Sequence, residues 1–359
     1  MSAGIGFVGV HSGGRADQAT SQGELLAARF AADGVRVRST SSVRSPLLRT
    51  AHQAAAVLAW RDVPVVVIDV FSGDSFRFAE LTSHLARLRG RRVVLFLHGG
   101  ALGEFAATRR ARVERLLRRA DLVLAPSEFL AGTFRPWGYD VHVVPNVVPL
   151  GELGSPRPGP ARPTLLWMRT FHEHYDPVGA VRTFALVAEQ VPGARLTMAG
   201  ADHGLLGATR EEAARLGVAD RVALPGFVSG GEKAVALREH DVFLNTNLVD
   251  NTPVSLIEAA GAGMVPVATA VGGIPHLVSD DVDAVLVPPS DPPAAARAVV
   301  GLLQDADRYA RLSGGAVALA RRSTWPAVRA AWAAELGFLD PGAFEPPEAV
   351  AVPAGGVDR

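Results

Sequence analysis

The sequence predicts an α/β protein built from two tandem, doubly wound parallel-sheet domains that face a cleft. Three observations carry that expectation. Short β-branched runs alternate with helical patterns, the alternation stops at a Pro- and Gly-rich segment, and it then restarts. The 359 residues agree with it, since one domain usually takes about 150.

In the first half, residues 5–10, 35–38, 65–69, 93–98, 122–125 and 141–144 read as strands. Between them, segments such as 22–32 and 113–120 place apolar residues at helical spacing. Strands separated by helices join through right-handed crossovers, which makes the sheet parallel. Residues 149–163 hold five Pro and three Gly, a composition that no helix sustains. The expected division is therefore a first domain over 1–150, a linker over 151–163 and a second domain over 164–322. Strands of the second domain are expected at 164–168, 195–199, 222–224, 242–245, 265–268 and 284–287. Residues 323–339 carry Trp325, Val328, Trp332, Leu336 and Leu339 on one helical face. Residues 340–359 are rich in Pro, Gly and Ala and read as an unstructured tail. Ligands of such sheets bind beyond the carboxyl ends of the strands, so two sheets offer a cleft between two such edges.

Composition excludes several classes. Lys plus Arg and Asp plus Glu both total 36, so no strong basic balance marks the chain for nucleic acid. There is no cysteine, hence no disulfide framework, thiolate nucleophile or Cys-ligated metal. The halves differ in sign: residues 1–150 hold 19 basic and 12 acidic side chains, residues 151–359 hold 17 and 24. Lys233 is the only lysine. The start lacks the basic region and long apolar core of a secretory signal, and the longest neutral stretch, 259–275, is broken by four Gly and two Pro. A cytoplasmic protein is expected, with peripheral contact to the cytoplasmic face of a membrane through its basic half.

Several motifs compete for a role. Residues 4–9, GIGFVG, match a dinucleotide fingerprint, but no strand precedes them and Ile5, Phe7 and Val8 belong to the strand itself. The following turn, with Gly13 and Gly14, is the better place for backbone amides to meet a phosphate. His172-Glu173-His174 lacks further ligands at a telling spacing and reads against a metal. Asp281-Val282-Asp283 reads as a solvated turn. The arginines between Arg109 and Arg119 read as a solvated helix face, with contact to an anionic surface as the alternative.

Residues 245–289 carry the strongest pattern: strand, polar loop, helix, strand, Gly-Gly turn, strand. Asp250 lies in the loop and Glu258 eight residues later, on a helix beginning near Pro253 whose free amides would face an anion. The segment resembles the signature region of the retaining glycosyltransferases of family 4, which have the two-domain GT-B fold. Here the pattern reads Asp250, Glu258, AAGAGMVPVAT, GGIPH and LVPP. His98-Gly99-Gly100, Pro126-Ser127, Val144-Pro145-Asn146 and Pro225-Gly226-Phe227 match further landmarks, and the Trp-bearing terminal helix is similar to one that crosses back onto the first domain.

The resemblance implies retaining sugar transfer from a nucleotide diphosphate sugar to a glycan, lipid-linked or small-molecule acceptor, with no metal and no cofactor besides the donor. Glu258 is expected at the ribose, Asp250 and His98 at the donor sugar, and Arg169 at the leaving phosphate. Gly13, Gly14, Gly200, Phe227, Thr252, Val254 and Ser255 are expected to bind the donor. Three positions depart from the pattern: Asp250 replaces a Glu, His276 replaces the acid of GGIPE, and Tyr175 stands where a Lys is usual. A phenol carries no positive charge at neutral pH. His172 and His174 are the expected substitutes as phosphate donors, and with Lys233 64 positions away in a different segment, Arg169 is the leading candidate for the phosphate-binding charge. A nucleotide-sugar-binding protein without turnover and a sugar-nucleotide epimerase are the alternatives.

Overall fold

The computed structural model describes residues 4–11, 20–43, 45–150 and 159–337. Gly13, Gly14, most of the expected linker and the expected tail lie outside the described residues.

Two six-stranded, all-parallel sheets follow one another. The first contains β1 (Ile5–Val8), β2 (Val37–Thr40), β3 (Val65–Val70), β4 (Arg92–Leu97), β5 (Leu122–Ala125) and β6 (Val141–Val143), in the order β2-β1-β3-β4-β5-β6. The second contains β7 (Thr164–Met168), β8 (Arg195–Ala199), β9 (Val222–Gly226), β10 (Val242–Asn245), β11 (Val265–Thr269) and β12 (Val285–Val287), in the order β12-β11-β10-β7-β8-β9. Their central strands are almost wholly apolar because helices cover both faces. In β3, Val66 and Ile68 pack on one face with Phe76 and Ala79, while Val65 and Val67 pack on the other with Phe7 and Phe30.

The second strand starts two residues later than its β-branched run suggests. Gly34 takes the left-handed conformation (φ 81°) and the amide of Val35 bonds the carbonyl of Phe30 at 3.0 Å. Val35 thus finishes the preceding helix, Gln22–Ala32, and buries its side chain in doing so.

The helix Trp325–Leu336 packs on the first domain although it follows the second. Its Trp332 is fully buried, with ring centroids 5.5 Å from Phe96, 6.1 Å from Phe30 and 6.4 Å from Phe7. Trp325 donates to Asp33 at 3.0 Å, and Arg92 donates to the carbonyl of Leu336 at 3.0 Å.

Packing explains each glycine of the GIGFVG run. A side chain would strike the carbonyl of Asp62 at Gly4, the ring of Trp60 at Gly6 and the carboxylate of Asp69 at Gly9. The basic helix Arg110–Leu117 buries Val113, Leu116 and Leu117, while Arg112 pairs with Glu80 at 2.6 Å and Arg110 with Glu114 at 2.9 Å. Asp281 lies in a turn and pairs with Arg308 and Arg311, each at 2.7 Å.

Candidate active site in the interdomain cleft

A cavity of about 390 Å³ opens where the carboxyl ends of the two sheets face each other. Gln22 and Leu25 line it from the first domain. Arg169 after β7, Gly200 after β8 and Phe227 after β9 line it from the second, with Val254, Ser255 and Glu258 at the start of one helix. Six residues named from sequence as donor contacts therefore share one wall. Gly200 also has a packing reason to be glycine, because a side chain there would collide with the carbonyl of Arg169.

The helix Val254–Gly261 begins after Pro253, which serves as its N-cap in extended conformation and offers no side-chain cap bond. Its first amides lie at the cavity wall, where an anion is favoured. The hydroxyls of Thr252 and Ser255 are buried without a hydrogen-bond partner among the described residues. Buried polar groups usually find partners, so this helix start has unused donor capacity.

Asp250 is gripped from several sides. Arg169 contacts its carboxylate, Asn247 donates from Nδ2 at 2.6 Å, and the amide of Asn251 donates at 2.7 Å. Burial pushes the Asp250 carboxyl up from its ordinary value, against the pull of Arg169. The backbone around it is held as well. A side chain at Gly272 would collide with the carbonyl of Asp250, and one at Gly273 with the carbonyl of Asn251. The Gly-Gly pair of GGIPH thus lets two loops close on each other. Gly100 of the first domain also approaches the Asp250 backbone, leaving 3.0 Å for an added Cβ. Asn251 accepts a short hydrogen bond from Ser127, so the same loop is tied across the domain boundary. His276, which replaces the acid of GGIPE, has its ring 5.9 Å from that of Phe129 of the first domain, so it packs at that boundary.

Arg169 carries a second contact that the sequence did not suggest. Its guanidinium lies 4.1 Å from the ring centre of Tyr175. The phenol standing where a Lys is usual therefore supports the arginine by a cation–π contact instead of adding a charge.

A second cation lines the same cavity wall. Lys233, in the first half of the helix Gly230–Glu239, lines the cavity, and its Nζ donates to Oε1 of Glu258 at 2.6 Å. Arg169, the leading candidate for the phosphate charge, therefore has a second cation beside it: 64 positions in sequence do not keep Lys233 out of the same wall. Its position six residues beyond Phe227, one turn into a helix, was the available signal. His172 and His174 lie outside the cavity. Nδ1 of His172 accepts from the amide of His174 at 3.2 Å, which folds the HEH segment into a turn. Among the described residues no group of three His, Asp or Glu side chains could hold a metal ion, and no helix is long and apolar enough to cross a membrane.

On the first domain, His98 follows β4. Its Nε2 lies 3.0 Å from Oδ1 of Asp69, a residue not singled out from sequence. Asn247 was also missed, and nothing in its local sequence marks it.

Two tandem parallel sheets with a cleft between their carboxyl edges define the GT-B architecture. Residues 19–152 match the model for glycosyltransferase family 4, and residues 162–305 match that for glycosyl transferases group 1. The chain belongs to this family, the group 1 glycosyltransferases of family 4. It is similar to the D-inositol 3-phosphate glycosyltransferase of Xylanimonas cellulosilytica, 32% identical over 61% of this chain and 57% of that protein. The one from Stackebrandtia nassauensis is 35% identical over 40% of this chain and 33% of that protein. The matches thus span about half or less of these curated relatives. Among solved structures, sucrose-phosphate synthase from Thermosynechococcus elongatus superposes with a TM-score of 0.73 at 19% identity, covering 94% of this chain and 98% of that one. Anabaena HepE in complex with UDP and glucose superposes with a TM-score of 0.72 at 18% identity, covering 93% and 99%. At such identities the likeness is one of fold.

Proposed function

We propose that this chain transfers a sugar from a nucleoside diphosphate sugar to a hydroxyl acceptor, with retention at the anomeric carbon and without a metal. One observation carries the reading: a single cavity wall combines Arg169, Lys233, Glu258 and the amide end of a helix. That set suits a nucleoside diphosphate. Glu258 accepts from ribose hydroxyls, while Arg169, Lys233 and the first-turn amides meet phosphate oxygens. As the glycosidic bond breaks, negative charge grows on the leaving diphosphate, and fixed cations there stabilise the transition state more than the ground state. Asp250, already held by three donors, stands ready to accept from donor sugar hydroxyls. Arg169 has further N–H groups beyond the one turned to Asp250, and its buried Nε has no partner among the described residues.

UDP is the first nucleotide to screen, because HepE was solved with it, and phosphorylated polyols are the first acceptors, because the curated relatives are named for one. Incubation with labelled UDP, GDP and dTDP sugars tests the reading, with EDTA in a parallel arm and the anomeric coupling of the product read by NMR. Transfer with retention in EDTA is expected. Nucleotide binding without turnover would favour the inert binder, and free-sugar isomers an epimerase. Cytoplasmic location and membrane contact through the basic first domain belong to the same proposal. Cell fractionation and co-sedimentation with anionic vesicles test them; a protein that stays in the supernatant at low salt has no such contact.

A further inference from the structure

Asp69 stands apart from every residue assigned above, yet three elements are shaped around it. It is the penultimate residue of β3, opposite Phe96 of β4, and the amide of His98 bonds the carbonyl of Val70 at 2.8 Å. This register brings the Asp69 and His98 side chains together at the carboxyl edge of the sheet. Both are nearly enclosed, at 5% and 7% exposure. The other carboxylate oxygen fills space left by two glycines: a side chain at Gly9 would collide with it, and one at Gly23 would come within 2.5 Å. Gly23 lies in the first turn of the helix Gln22–Ala32, the end that favours negative charge. The imidazole is fixed on its faces as well, stacked 4.9 Å from Phe71 and edge-on 4.3 Å from Phe96.

A carboxylate so enclosed is costly unless a donor meets it. Nε2 of His98 lies at hydrogen-bond distance, so the proton belongs on that nitrogen whether the ring is neutral or charged. We infer that Asp69 is a positioning residue: it holds His98 in the Nε2-protonated form, leaving Nδ1 to meet a hydroxyl of the bound donor or acceptor. Two residues beyond His98, Gly100 packs on the backbone of Asp250, so the segment after β4 that carries the ring runs on to the loop that carries the second domain's carboxylate. The role of the ring in transfer rests on the proposed function; the control of its tautomer by Asp69 does not.

The test separates these two levels. Nitrogen-15 NMR of the histidine rings, with His98 assigned by its loss in His98→Gln, reads the tautomer without any substrate. Wild-type protein is expected to carry the proton on Nε2, and Asp69→Asn to lose that preference. Under turnover, Asp69→Asn is expected to lower kcat by about tenfold or more, as when a carboxylate partner of a histidine is removed. The donor KM is expected to stay within about twofold, because the contact is made to the ring and not to the donor. The double variant with His98→Gln should be no slower than His98→Gln alone. Gly23→Ala, which crowds the carboxylate without removing it, covers the case in which Asp69→Asn does not fold, and the same tautomer change is expected. An unchanged tautomer in both variants, or losses that add in the double variant, overturns the inference. A tautomer that follows Asp69 in a protein inactive on every donor would sink the proposed function and leave the positioning role standing.

Discussion

Lys233 reaches Glu258 at 2.6 Å, joining the chain's one lysine to the carboxylate expected at the ribose. An ammonium has three donors, so this bond leaves two for phosphate oxygens. Lys233→Met is expected to weaken UDP or GDP binding about 10- to 100-fold, the range of charge-assisted hydrogen bonds. Calorimetry measures it, and Lys233→Arg separates charge from shape. Equal affinity in Lys233→Met would remove this residue from the donor site.

Arg169 is expected to act on the rate more than on binding. Arg169→Ala should lower kcat by about 10² to 10³, as for other fixed donors at developing charge. It also leaves Asp250 enclosed without its cation, so circular dichroism and a thermal melt must accompany the kinetics. Near wild-type turnover in a folded variant would exclude the assigned role.

The Ser127–Asn251 bond predicts a coupling between the domains. Ser127 also caps the helix Glu128–Phe134 by accepting from the amide of Leu130 at 3.2 Å. Ser127→Ala should therefore cost about 1 kcal/mol for the cap, and about 1–3 kcal/mol more if Asn251 is left buried without a partner. Asn251→Ala should spare the cap, and urea denaturation of both variants separates the two contributions.

Acid should weaken the second domain through Glu212. Arg215 and Arg182 bond its carboxylate at 2.7 and 2.6 Å and lower its pKa to about 2, from the ordinary 4.5. A depressed pKa means that the folded state binds the proton less readily than the unfolded chain. The contribution is complete above pH 4.5 and is lost as pH falls towards about 2. Unfolding midpoints of wild type and Glu212→Gln should converge over that interval; parallel curves would exclude the effect.

Much of this was legible in the sequence because it rests on periodicity. Both sheets follow from apolar runs separated by helical patterns, and the edge residues Arg169, Gly200, Phe227 and Glu258 follow from where strands and helices stop and start. What escaped depends on how elements face one another. Lys233 and Glu258 sit on different helices, and only the angle between those helices brings them together. Asp69 looked like one more residue of a strand until its neighbours Gly9 and Gly23 revealed the space kept for it. The histidines of HEH have the right chemistry, but they form a turn and are not among the residues that line the cavity. A β-branched run put one strand two residues too early because Val35 was needed to finish a helix.

Trp332, set among Phe7, Phe30 and Phe96, has a consequence for how the chain comes into being. Synthesis delivers the first domain early, but one apolar face of its sheet, partly covered by the helix Gln22–Ala32, is completed by residues made after the whole second domain. While the ribosome works through that interval, three phenylalanines lack their final cover, and exposed apolar surface is what chaperones and aggregates both capture. A chain halted before Trp325 would carry a folded second domain attached to an unfinished first one. The quality of the product therefore depends on its last helix arriving.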